Sequence, residues 1–64
     1  MTKIDKRKFA RAVRVFRKEK DLTQLELANA IKTTSNTVAR WERGETVPKN
    51  ELVLNKLREI GITW

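Results

Sequence analysis

The sequence predicts an all-α domain of four helices around one shared core, and three observations lead there. Apolar residues recur at helical spacing in four stretches, centred on Phe9, Leu27, Val38 and Leu57. A side chain suited to an N-cap precedes each stretch: Asp5, Thr23, Thr34 and Asn50. The last two stretches run into Gly44 and Gly61, residues able to take the positive φ that closes a helix.

The first helix is expected from Asp5 to about Lys20. Phe9, Ala12, Val13 and Phe16 share one side of its wheel and are core candidates. Arg7, Arg11, Arg14 and Lys18 lie on the opposite side, which is either a solvated face or a contact with phosphate or a partner. Arg17 stands at the edge of the apolar stripe, where its stem can pack while its head reaches Glu42. A bidentate Arg17–Glu42 pair would fix the third helix against the first rather than add much net stability.

Leu22 precedes the second helix as a staple residue, and Thr23 with Glu26 forms a Thr-x-x-Glu capping box. This helix is expected over Gln24–Ile31. Thr34 then caps a third, about Ser35–Arg43, which Gly44 ends. Two helices this short cannot each bury an independent face, so they must share a core and cross steeply. Residues 23–44 therefore form a helix-turn-helix.

The wheel of the third helix divides it into two faces. With Ser35 at zero and about 100° per residue, Val38 and Trp41 point near 300° and 240°. Asn36, Arg40 and Arg43 point near 100°, 140° and 80°, almost opposite. A helix is about 10–12 Å across with its side chains, the width of the B-DNA major groove. Arginine can pair bidentately with guanine and asparagine with adenine. Trp41 belongs to the core despite its place on this helix.

The fourth helix runs over Glu51–Ile60, after a loop in which Pro48 disfavours helix at Val47. Asn50 caps it, Gly61 closes it, and Ile62 is placed to fold back onto it. Its apolar arc, with Leu52 and Leu54 flanking Val53, Leu57 and Ile60, spans about 200° against a usual stripe of roughly 100° or more. The surplus, Leu54 especially, and the C-terminal Trp64 are expected to meet an identical subunit.

Charge and composition narrow the function. The chain carries 15 Lys and Arg against 8 Asp and Glu in 64 residues, a net charge of +7, which marks a polyanion binder. Its longest apolar run is Leu52-Val53-Leu54, too short for a membrane span or a signal-peptide core. Without Cys or His it lacks thiolate metal ligands, disulfides and the commonest general base. No Gly-rich phosphate loop or close carboxylate pair is present either. Neither enzyme nor metal or cofactor protein is expected. At this length residues 1–64 make one domain, burying only about 60% of the unfolded surface.

Together, Leu22-Thr-Gln-x-Glu-Leu-Ala28, Thr37-Val38 and Trp41-Glu-Arg-Gly44 with Pro48 downstream resemble the lambda-repressor-like (Cro/C1-type) helix-turn-helix family of bacterial and phage regulators. The likeness covers about residues 9–61. It implies an all-α domain of four to five helices, usually a homodimer on a palindromic operator. It further implies that Gln24 binds phosphate and that Ser35, Asn36 and Arg40 lie in the major groove. Ala28 would be the small residue where the second and third helices cross, and Arg17–Glu42 a structural pair. Thr34, Thr37, Arg43 and Lys49 are read as further phosphate contacts.

Three positions depart from that pattern. Lys32 stands where the family usually has glycine, so either it is left-handed at a cost of order 1 kcal/mol or the turn differs. Leu25 occupies an exposed position that is more often charged. The sequence also ends after the fourth helix, without the fifth that many relatives use.

The expected function is that of a sequence-specific regulator of transcription, a repressor or autoregulator, dimeric on double-stranded DNA and located in the cytoplasm. The alternative is an interaction module such as an antitoxin, binding a partner protein through Leu25, Leu54 and Trp64. RNA binding is disfavoured, because readers of single strands stack bases on exposed aromatics, whereas Phe9, Phe16 and Trp41 fall on core faces.

Overall fold

A computed structural model describes residues 4–64. Helix α1 spans Lys6–Glu19, α2 Gln24–Ala30, α3 Ser35–Glu42 and α4 Glu51–Ile60, with no strand among the described residues. Each begins on the cap its sequence supplies. The Asp5 carboxylate accepts from the Arg7 and Lys8 amides at 2.9 and 3.2 Å, opening α1. Thr23 Oγ1 accepts from the Glu26 amide at 3.1 Å, and Glu26 Oε1 accepts from the Thr23 amide at 2.8 Å. That reciprocal pair satisfies two amides that the first turn of α2 would leave without partners. Thr34 and Asn50 cap α3 and α4 in the same way, accepting from the Thr37 and Leu52 amides.

All four helices also end alike. An amide beyond each helix bonds a carbonyl five residues back, as in Leu22 to Arg17, Thr33 to Ala28, Glu45 to Arg40 and Ile62 to Leu57, at 2.8–3.0 Å. The amide before it bonds a carbonyl three residues back, the paired bonds of the Schellman motif. The motif requires one residue with positive φ. Gly44 and Gly61 supply it at φ 76° and 108°, but Asp21 and Lys32 adopt it at 56° and 59°. Lys32 is thus left-handed, and the turn keeps the geometry a glycine would have given. Asp21 was not legible as such a position, since nothing beyond its short polar side chain signals it.

Phe9 and Val13 from α1, Leu27 and Ala28 from α2, Val38 and Trp41 from α3, and Leu57 from α4 form one buried cluster with Ile31 and Ile62. Ala12 and Phe16 are half-buried against it, and Ala10 is buried as well. Leu22 is half-buried rather than buried. The Phe9 ring stands edge-on to both Trp41 and Trp64, at centroid distances of 5.6 and 5.1 Å. Trp64 is consequently a half-buried cover of the core, with the Arg58 guanidinium over its ring at 5.1 Å.

On α4 the structure corrects the reading of the apolar arc. Leu54 is only 5% exposed and packs inward, while Leu52 is 74% exposed. The two leucines flank the central stripe on opposite sides. The core lies on the Leu54 side, so the spare apolar surface of α4 belongs to Leu52.

Candidate nucleic-acid interface

The capping box starts α2 in register, and the turn at Lys32 sends the chain into α3, which packs against both α2 and α1. Val38, Trp41 and Glu42 are buried on α3, whereas Asn36, Arg40 and Arg43 are exposed. Ser35, Thr37 and Ala39 lie between the two faces and are half-buried. The helix thus presents a row of Asn and Arg to solvent while its other side is held in the core.

Glu42 is the one buried acid among the described residues, at 7% exposure. Arg17 donates Nε to Oε2 at 2.7 Å and Nη2 to Oε1 at 2.9 Å, and Gln24 donates Nε2 to Oε1 at 3.3 Å. One carboxylate therefore ties α1, α2 and α3 together. Burial pushes the Glu42 carboxyl up. The hydrogen bonds from Arg17 and Gln24 and the positive charges of Arg17 and Arg14 outweigh it, holding the group below the usual carboxylate range. The same pairing raises Arg17. Arg14 adds a bond from Nη2 to the Glu42 carbonyl at 2.7 Å, closing the last turn of α3 with a cation where the helix dipole favours one.

Gln24, expected at phosphate, is half-buried at the start of α2, and its amide nitrogen is engaged by Glu42. Thr34 and Thr37 share a hydroxyl contact of 2.9 Å at the start of α3, beside Ser35 and Asn36. Gln24 thus lies against the last turn of α3, whereas Thr34, Ser35, Asn36 and Thr37 come together at its start. Arg43 lies at the other end of α3, and Lys49 is exposed in the loop that follows.

Glu45 was missed by the sequence reading. Its carboxylate accepts from Arg43 Nε at 2.7 Å and faces Arg40 Nε at 3.4 Å. The hydrogen bond from Arg43 lowers Glu45 below the usual range, with Arg40 adding to it. The signal available was its position, five residues after Arg40 and two after Arg43, on the turn that the Gly44 closure folds back. Both arginines of the exposed face are therefore held by one acid.

A family model described as helix-turn-helix matches residues 13–63. The chain belongs to the helix-turn-helix family, of the Cro/C1 type. A helix-turn-helix relative, the HTH-type transcriptional regulator DicA of Escherichia coli (strain K12), is 39% identical over 54 residues. That match takes in 81% of this chain and 40% of DicA, so the chain spans less than half the length of that helix-turn-helix protein. No solved structure matches the chain. No helix among the described residues is long and apolar enough to cross a membrane.

Proposed function

We propose that this helix-turn-helix chain binds double-stranded DNA with α3 in the major groove and regulates transcription by occupying a promoter. The observation that carries this is the division of α3, with Val38, Trp41 and Glu42 buried and Asn36, Arg40 and Arg43 exposed. Ser35, Asn36 and Arg40 would read base edges. Gln24 would hold a phosphate at the start of α2 and Thr34 and Thr37 at the start of α3, with Arg43 and Lys49 beyond the end of α3 at the margin. The name of DicA, a transcriptional regulator, supports the same reading.

A single domain offers a small footprint, and linking two half-sites multiplies affinity through effective concentration. The functional unit is therefore a dimer on a palindromic site, acting as a repressor or autoregulator. Its contact would involve Leu52, the exposed leucine of α4, with Trp64 beside the same core.

Selection of bound duplexes from a random pool tests this directly. It should return a two-fold symmetric site with half-sites about 34–36 Å apart. Arg40→Ala should cost about 1–3 kcal/mol on that site and relax the choice at one base pair. Gln24→Ala should weaken all sequences alike, and Leu52→Glu should abolish cooperative occupancy while leaving the fold intact. A pool that emerges unenriched would overturn the reading.

A further inference from the structure

The outer face of α1 and the last turn of α3 form an open groove of roughly 390 Å³, and of its lining residues only Arg43 belongs to the proposed DNA contacts. Arg7, Arg11, Arg14 and Lys18 line it from α1, and Arg43 stands on the α3 side. Ala10 and Val15 form an apolar part of its lining, and Val15 is 44% exposed. Among the described residues Arg7, Arg11 and Lys18 have no salt-bridge partner. Glu42, the acid on its rim, is already committed to Arg17 and Gln24.

We propose that this groove binds an acidic segment of a protein partner, with carboxylates on Arg11 and Lys18 and an apolar side chain on Ala10 and Val15. Charge complementarity and the apolar lining select this occupant. A phosphate backbone would satisfy the cations but leave Val15 uncovered. Position argues the same way. The ring contact and the ion pair from α1 fall on Trp41 and Glu42, at the end of α3. Asn36 lies at its beginning and on the opposite side of its wheel. A recognition helix meets base edges with its N-terminal residues, so the groove lies toward the end of α3 farther from the bases, with Arg43 at the border. The partner can then be held while the reading face stays on DNA. The argument from position rests on the DNA reading, whereas peptide binding at the groove is measured without DNA, so the two can fail separately.

The test uses the full chain, isotope-labelled, titrated with a synthetic peptide of alternating Glu and Leu, about six residues long, which when extended matches the length of α1. Its control is the same peptide with each Leu replaced by Ser. At about 0.15 M salt, where exposed long-range attraction is screened, the Glu-Leu peptide should shift the amides of Arg11, Val15, Lys18 and Gly44. It should bind about tenfold more tightly than the Ser control, as burial of apolar area predicts. Arg11→Gln with Lys18→Gln should reduce that affinity about tenfold, and Val15→Ser about threefold, with thermal melting unchanged within a few degrees. Three outcomes would overturn the proposal. The two peptides bind equally, the shifts fall on Asn36 and Arg40, or random duplex DNA moves the amides of Arg11, Val15 and Lys18 as strongly as the peptide does.

Discussion

Arg17 spans the Glu42 carboxylate with two bonds, at 2.7 and 2.9 Å, while its Nη1 donates to the Leu22 carbonyl at 3.0 Å. The same guanidinium thus fixes α3 and the turn between α1 and α2. Removing one partner leaves the other charge largely desolvated, and Glu42→Ala should cost about 3 kcal/mol, at the lower end for a buried pair because Arg17 keeps some solvent contact. Replacing both, Arg17→Met with Glu42→Leu, should recover most of that loss. Urea denaturation of the two single variants and the double variant measures the coupling. Additive losses would show that the pair does not act as a unit.

The pair also sets a dependence on acid. The folded Glu42 carboxyl ionises below its ordinary value of 4.5, so the unfolded chain takes up a proton first as pH falls. The stabilisation is complete above about pH 4.5 and is lost progressively as pH falls through the lower folded value. Asp5 and Glu45 shift in the same direction from exposed positions and add a shallower slope. Melting temperature followed from neutral pH downward should decline in that window. Glu42→Gln should remove the steeper part of the decline.

Glu45 should act as a brake on DNA binding. It draws Arg43 and Arg40 toward itself and places a negative charge beside the proposed phosphate contacts. Exposed pairs of this kind add little stability, so Glu45→Gln should leave melting within a degree or two. Its effect should appear in affinity instead, as about two- to fivefold tighter binding to every duplex at low salt, fading as salt rises. A band-shift titration at two salt concentrations reads both. Tightening confined to one sequence would mean that Glu45 contributes to base choice.

Lys32 pays a backbone penalty that glycine would avoid. Lys32→Gly should raise stability by up to about 1 kcal/mol, because the left-handed conformation is retained without a Cβ. Gly44→Ala should lower it by a similar amount. A Cβ there would meet no neighbour within 4 Å, so the cost comes from φ alone. Thermal melts of both variants suffice, and a destabilised Lys32→Gly would point to packing by the lysine stem.

Helix limits were legible because their causes are local or periodic, and the Arg17–Glu42 pair because Arg17 stands at the edge of its stripe and the family resemblance implies the partner. Caps sit next to the helices they open, and the wheel of α3 separates Val38 and Trp41 from Asn36 and Arg40 without reference to any neighbour. The bond from Gln24 to Glu42 and that from Arg14 to the Glu42 carbonyl were not legible. Each depends on where one helix end lies relative to another. The inversion of Leu52 and Leu54 has the same origin. Periodicity shows that both flank a stripe, but only the placement of α4 against the other helices decides which flank is buried.

The common closure of the four helices bears on how the chain reaches this state. Each stop is made by amides reaching back three and five residues, so no distant segment is needed to set a helix's length. Rods of nearly correct size can therefore flicker into existence in the unfolded ensemble before any of them dock. Topologies dominated by such near-neighbour contacts cross their folding barrier on about the microsecond-to-millisecond scale. This stretch of chain would reach its fold almost as soon as it leaves the ribosome.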